Sequence, residues 1–276
     1  MKAIKDTFTF HNGIKMPKIG LGTWQTKPGK ETYEAVRMAL KHGYRHIDTA
    51  AAYQNETSVG QAVRDSGLSR QELFITTKLP SHIKTAAGTT EAFFGSLASL
   101  GTDYIDLYLI HAPWPWSEIG KDCREGNIQA FKAMEKLYRD GYVRAIGVSN
   151  FDEHDLQNII DHCEIVPHAD QIPYFIGLDQ EKTIASCRRH NIVVEAYSPL
   201  GIGYLLANET IREVAARYGV SPAQICIRWC LQKDTAPLPK TIREERLIEN
   251  MTVDFVINAE DMAVLDAIKG DPRRWE

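Results

Sequence analysis

Several things are scarce in this sequence, and each scarcity excludes something. No stretch of the 276 residues approaches the ~18 consecutive apolar residues of a membrane span, and the opening "MKAIKDTFTF" has no apolar run of signal-peptide length. No membrane partner is indicated, and a cytoplasmic location is expected. Positive charge is not in excess, since 32 Lys and Arg stand against 36 Asp and Glu. The basic stripe that nucleic acid or an anionic bilayer requires is therefore missing. Cysteines are few and odd in number. Cys123, Cys163, Cys187, Cys226 and Cys230 show no CxxC spacing, which argues against a disulfide framework and against a metal site. Cys226 and Cys230 could share a helix face in "AQICIRWCLQK", where two small buried residues are the simpler reading. No GxSxG elbow occurs, and no GxGxxG follows the first strand candidate.

What is present is a globular composition, 43% hydrophobic and 25% charged, with no break that would divide the chain into two domains. Short runs rich in Ile, Val, Leu and Tyr alternate with longer segments of helical period, the pattern of repeated βα units. Eight strand candidates can be counted: "IGLG" (19–22), "YRHIDT" (44–49), "LFITTKL" (73–79), "YIDLYLI" (104–110), "VRAIGVS" (143–149), "HADQI" (168–172), "IVVEAYS" (192–198) and "APLPK" (236–240). The first and last are weak by pattern alone, being short and rich in Gly or Pro. Helical segments such as "KETYEAVRMALKHG", "TEAFFGSLASLG" and "SPAQICIRWCLQK" lie between them, and Ser221 and Pro222 are suited to the cap and first turn of the last. "FTFHNGIKMP", with Asn-Gly between alternating runs, predicts an N-terminal hairpin that could plug the bottom of a barrel. The expectation is an α/β fold, a single (β/α)8 TIM barrel domain over 1–276, with a doubly wound open sheet as the structural alternative.

In such a barrel the C-terminal strand ends converge on one mouth. They carry Thr23 and Trp24, then Asp48 and Tyr53, Lys78, His111, Ser149 and Asn150, Gln171, Tyr197 and Ser198, and finally Lys240 and Thr241. Singly, each has an ordinary explanation; Asn150, for example, could cap the helix beginning near Glu153. Together, Asp48, Tyr53, Lys78 and His111 have a definite chemical use. A free phenol has a pKa near ~10, so Tyr53 moves a proton at neutral pH only if something stabilises its anion. The Lys78 ammonium would do so, Asp48 could hold Lys78 charged and oriented, and His111 would either orient a carbonyl oxygen or share in the proton transfer. No side chain supplies a nucleophile, and a hydride from a nicotinamide would fill the gap.

With these residues in view, the chain resembles the aldo-keto reductases over essentially its whole length. The resemblance is carried by "IGLGTW", "GYRHIDTAAAYQNE", "TTKL", "DYIDLYLIH", "VRAIGVSNF", "AYSPLG" and "PKTIREERLIEN", and is nearest in look to bacterial 2,5-diketo-D-gluconate and glyoxal reductases. It implies NADPH-dependent reduction of aldehydes or ketones, with Asp48, Tyr53, Lys78 and His111 as a catalytic tetrad and Tyr53 as general acid. It further implies that Ser149, Asn150 and Gln171 hold the nicotinamide carboxamide, that Tyr197 stacks on its ring, and that Thr23 lies nearby. The "SPLG" turn, with Ser198, Leu200 and Gly201, would wrap the pyrophosphate. Lys240, Thr241 and Arg246 would grip the 2′-phosphate, Arg243 would stack on adenine, and Glu249 and Asn250 would hydrogen-bond the base. Basic residues at a helix start oppose the macrodipole, so an anionic ligand accounts for them better than a solvated first turn.

The departures from the family concern the substrate pocket. Pro80 follows Lys78 where relatives often carry Trp, "HAPWPW" shifts the aromatics to Trp114 and Trp116, "QIPYFIG" replaces the frequent Glu and His-Pro, and the chain ends at "DPRRWE". An open pocket for a small carbonyl substrate follows, with Trp24 and Trp114 as lining. Trp114 and Trp116 could equally be buried structural residues, and Arg273, Arg274 and Trp275 could fold over the mouth or fray. A monomer is expected. Two competing readings stand: a barrel aldolase using Lys78 as a Schiff base, and a non-catalytic NADPH-sensing subunit.

Overall fold

The structure is a computed structural model and describes residues 3–270; the tail residues Arg273, Arg274 and Trp275 lie outside the described residues. A two-stranded antiparallel hairpin, β1 (Thr7–Thr9) and β2 (Lys15–Pro17), precedes an eight-stranded parallel sheet. The sheet runs in sequence order through β3 (Leu21–Gly22), β4 (His46–Asp48), β5 (Phe74–Leu79), β6 (Ile105–Ile110), β7 (Val143–Ser149), β8 (Ala169–Pro173), β9 (Val193–Tyr197) and β10 (Ala236–Leu238). Each of the eight strand candidates is therefore a strand, and the open-sheet alternative falls. Gly20 N donates to Pro237 O and Gly22 N to Pro239 O, both at 3.2 Å, so the first strand also bonds to the last and the sheet closes.

That closure explains why the two end strands look weak in sequence. A Cβ on Gly22 would stand 3.0 Å from Leu238 O, and one on Gly20 would stand 2.6 Å from the Leu238 side chain and 2.7 Å from His46 Nδ1. The seam needs glycine for close approach of backbones, at the cost of the apolar alternation that marks an ordinary strand.

The helices alternate with the strands: α1 (Lys30–Lys41), α2 (Glu56–Arg64), α3 (Ala86–Leu100), α4 (Arg124–Arg139), α5 (Glu153–His162), α6 (Glu181–Arg189), then α7 (Glu209–Tyr218) and α8 (Pro222–Gln232) before β10, and α9 (Glu244–Met251) and α10 (Ala259–Asp266) after it. α3 starts four residues earlier than its apolar pattern suggests, because the Thr85 hydroxyl accepts Gly88 N and caps it. In α8, Ser221 caps Gln224 N with Pro222 at the first position, and Cys226 and Cys230 are buried free thiols.

The hairpin seals the lower end. Phe10 N donates to Ile14 O and Gly13 N to Phe10 O, with Gly13 alone of its turn at positive φ, and Asn12 Nδ2 reaches across to Arg144 O at 3.0 Å. Phe10 and Met16 then enter the barrel and pack with Phe74, Leu107, Leu109, Ala145, Ala169 and Ala236. A larger apolar layer joins the outer faces of the strands to the helices. Among the described residues no helix is long and apolar enough to cross a membrane.

Candidate active site

Side chains alternate across a strand, so residues two apart share a face. Asp48 is the last residue of β4, Lys78 the fifth of six in β5, and His111 follows β6 directly. Tyr53 closes a short 3₁₀ turn, Ala51–Tyr53, after β4. The fold brings all four together. Lys78, fully buried, donates to both carboxylate oxygens of Asp48 at 2.7 and 2.8 Å, to Thr49 O at 2.9 Å, and lies 3.5 Å from the Tyr53 hydroxyl. The Tyr53 ring stands edge-on to His111 with centroids 5.5 Å apart.

Electrostatics refine the sequence expectation. Burial raises the Tyr53 pKa; Lys78 pulls it down and Asp48 pushes it up, with the net direction upward. The ammonium thus moderates the burial effect rather than making the resting phenol more acidic than usual, and Tyr53 holds its proton at neutral pH. Burial tends to lower Lys78, but Asp48, Tyr53 and the hydrogen bonds to Asp48 outweigh it and hold the ammonium charged. A Schiff-base nucleophile must be a neutral amine with a free lone pair. Lys78 is the opposite, so the aldolase reading fails. His111 is brought down to about 3 by burial and then by the Lys78 charge, so it is a neutral imidazole; its Nδ1 has no hydrogen-bond partner among the described residues.

Beside this cluster, Ser149 Oγ donates to Gln171 O at 2.8 Å, and Asn150 Nδ2 donates to His111 O at 2.9 Å and Ser149 Oγ at 3.0 Å. Tyr197, half-buried, donates its hydroxyl to Asn150 Oδ1 at 2.7 Å. Asn150 is not the cap of α5. Asp152 takes that task through a capping box with Asp155, which leaves Asn150 left-handed at φ 62° with its side chain turned into the mouth. Thr23 is buried and donates to Asp48 O at 2.9 Å.

The outer wall comes from the segment after β6. Trp116, nearly half exposed at 46%, stands edge-on to His111 at 5.9 Å, and Trp114 packs edge-on behind it at 4.9 Å. Lys84 ties this segment down by donating to Ala112 O at 2.8 Å and Asn127 Oδ1 at 2.6 Å, while Asn127 Nδ2 donates to Pro113 O at 2.9 Å. Trp24, 45% exposed, lies past the end of β3.

Comparison with known proteins now decides the relationship. The profile of the Aldo/keto reductase family matches residues 18–269. The chain belongs to that family. It is 43% identical to a glyoxal reductase of Bacillus subtilis over 98% of this chain and 95% of the relative. It is likewise 43% identical to a Trypanosoma cruzi 9,11-endoperoxide prostaglandin H2 reductase, over 96% and 92%. Among solved structures, an aldo/keto reductase of Brucella melitensis superposes with a TM-score of 0.90 at 37% identity, covering 96% of this chain and 98% of that one. A Bombyx mori aldo-keto reductase in complex with NADP gives 0.86 at 31%, covering 95% and 92%.

This aldo/keto reductase is an oxidoreductase, and its cofactor is NADP(H). Its own residues fit that group. Lys240, Arg243 and Arg246 are exposed at and just before the start of α9, and among the described residues none of them forms an ion pair. Of the two acids in the same turn, Glu244 is engaged elsewhere by His42 at 2.6 Å and Lys41 at 3.3 Å, and Glu245 is exposed and forms no ion pair with these cations. Three unpaired cations beside the buried Thr241 and Asn250 suit a phosphate dianion on an adenosine. Between rim and mouth, Ser198, Leu200 and Gly201 form the turn after β9, with Ser198 and Gly201 at positive φ, and Glu249 lies half-buried in α9.

Two polar residues of the site were not singled out from sequence. Glu195 and His46 lie fully buried inside the barrel, each two residues before a mouth residue, Tyr197 and Asp48. That spacing was the available signal: a carboxylate within "IVVEAYS" must share a face with Tyr197.

Proposed function

We propose that this enzyme reduces small aldehydes and ketones to alcohols, with Tyr53 giving its proton to the carbonyl oxygen. The observation that carries the reading is the placement of one buried ammonium, Lys78, between the Asp48 carboxylate and the Tyr53 hydroxyl. Bound NADPH supplies the hydride to the carbonyl carbon. Tyr53 begins protonated, as a proton donor must, and Lys78 stabilises the phenolate as the proton leaves. Asp48 keeps Lys78 charged and fixed. His111, being neutral, donates an N–H hydrogen bond that orients the carbonyl and is not the acid.

In the same reading Ser149, Asn150 and Gln171 hold the nicotinamide carboxamide, Tyr197 stacks on the ring with Thr23 beside it, and Ser198, Leu200 and Gly201 follow the pyrophosphate. Lys240, Thr241 and Arg246 take the 2′-phosphate, Arg243 covers the adenine, and Glu249 and Asn250 bond its edge. Trp24 and Trp114, with Trp116 in front of His111, line an open pocket. The name of the Bacillus subtilis relative, a glyoxal reductase, favours small dicarbonyls; sugar-derived ketoacids also suit an open aromatic wall. The chain works as one barrel domain, as a monomer, in the cytoplasm.

The test is NADPH oxidation with methylglyoxal, aromatic aldehydes and a sugar-derived ketoacid, for the natural protein and Tyr53→Phe. The variant should lose roughly 10³-fold or more in kcat, while NADPH binding, followed by quenching of protein fluorescence, survives. A Tyr53→Phe enzyme that turns over normally would reject Tyr53 as the proton donor.

A further inference from the structure

Beneath the tetrad lies a carboxyl group that the chemistry above does not use. Glu195 is fully buried in β9, facing into the barrel. Its Oε2 accepts from Gln171 Nε2 at 3.1 Å. Its Oε1 lies 3.5 Å from His46 Nε2, whose hydrogen-bond partner is Thr76 Oγ1 at 3.0 Å. No Lys or Arg pairs with Glu195 among the described residues; Lys78, the one ammonium close by, is bonded to Asp48, Thr49 and Tyr53.

Gln171 connects this carboxyl to the working site. The same Nε2 donates to Asp48 Oδ2 at 2.8 Å. An amide nitrogen has two hydrogens, and both are spent on carboxyl oxygens inside the barrel. The reverse orientation would set the amide oxygen against the Asp48 carboxylate. Asp48 alone selects which end of the amide points inward, but one bond leaves the amide plane free to rotate. The second bond, to Glu195, fixes the plane.

We propose that Glu195 is a positioning residue for the nicotinamide end of the cofactor: by holding the second hydrogen of the Gln171 amide, it aims the Gln171 carbonyl oxygen at the mouth, ready to accept from the carboxamide N–H₂. The proposal rests on the reading that Gln171 contacts the nicotinamide. It assigns the recognition of that amide to an acceptor set from below. The device needs only an oxygen acceptor at position 195. Glutamine supplies one in the same place, whereas an apolar residue of equal size leaves a buried N–H unpaired and the amide loose.

The experiment measures dissociation constants for NADPH and for adenosine 2′,5′-bisphosphate, which lacks the nicotinamide, by calorimetry. In Glu195→Met the NADPH constant should rise roughly tenfold, the effect of about one lost polar interaction, and the bisphosphate constant should not move. Glu195→Gln should bind both as the natural protein does. Glu195→Val serves the same comparison if the Met variant does not fold. Equal weakening of both ligands, or a Glu195→Gln protein as impaired as Glu195→Met, overturns the proposal. So does unchanged NADPH binding in Glu195→Met when Gln171→Met weakens it. If Gln171→Met also binds NADPH normally, the assignment of Gln171 to the cofactor fails, and the role of Glu195 with it.

Discussion

The two ends of the barrel interior are built by the same strands and are equally buried, yet they are opposite in chemistry. β5 contributes Phe74 to the lower end and Lys78 to the upper; β8 contributes Ala169 and then Gln171. Below, Phe10 and Met16 from the hairpin fill the space among Phe74, Leu107, Leu109 and the alanines, and burial there stabilises the fold directly. Above, Asp48, Lys78 and Gln171 are as deeply covered, with Glu195 and His46 where the two layers meet, His46 edge-on to Phe74 at 5.0 Å, and each costs desolvation that only its neighbours offset. Stability is concentrated at one end and reactivity at the other, two to four residues apart along a strand.

Four variants test that division. Lys78→Met should have the largest effect: a loss of roughly 10³- to 10⁴-fold in kcat, with about 3–5 kcal/mol of stability removed because Asp48 is left buried and unpaired. Steady-state kinetics together with urea unfolding would measure both, and a Lys78→Met enzyme of normal kcat would break the comparison at its upper end. At the lower end, Phe10→Ala should cost about 3–5 kcal/mol of unfolding free energy while the folded fraction keeps its kcat/KM. A fully folded Phe10→Ala protein with poor turnover would show that the hairpin does more than plug the barrel.

The rim sharpens the contrast, since Lys240, Arg243 and Arg246 are exposed and form no ion pair among the described residues. Lys240→Ala combined with Arg246→Ala should weaken NADPH by roughly 10²-fold and leave NADH nearly unchanged in competition binding. Equal losses for both cofactors would refute the 2′-phosphate assignment. The remaining test concerns proton linkage at Glu195, whose carboxyl is pushed up to about 8, first by burial and then by the Asp48 charge. Between the ordinary carboxylate range and that value, the folded protein holds a proton that the unfolded chain has released. Stability contributed at this group therefore falls as pH rises between those values, and Glu195→Gln, which cannot ionise, escapes the loss. Urea unfolding at several pH values should show the variant gaining on the natural protein from pH 5 to 8; a constant difference would mean that Glu195 is ionised throughout.

Much of this was legible in the chain. The eight strands, the hairpin and the strand-end residues follow from apolar periodicity and turn residues, because those patterns arise from local geometry. The weak end strands were legible only as short runs, since Gly20 and Gly22 answer to the approach of β10, over 200 residues away in sequence. Asn150 resembled a helix cap because Asn suits that position, and only the neighbouring Asp152–Asp155 box releases it for the mouth. Glu195 and His46 went unnoticed because a polar residue inside a strand has meaning only when its partners on other strands are known.

The sequence by itself determined the order of the elements and which residue types stand at each strand end, because hydrophobic period and turn chemistry act over a few residues at a time. The tertiary structure alone decided which charges are neutralised, which amide end faces outward and which ammonium is held between a carboxylate and a phenol. Those outcomes depend on distances of about 3 Å between groups on different strands, set only when the sheet closes on itself.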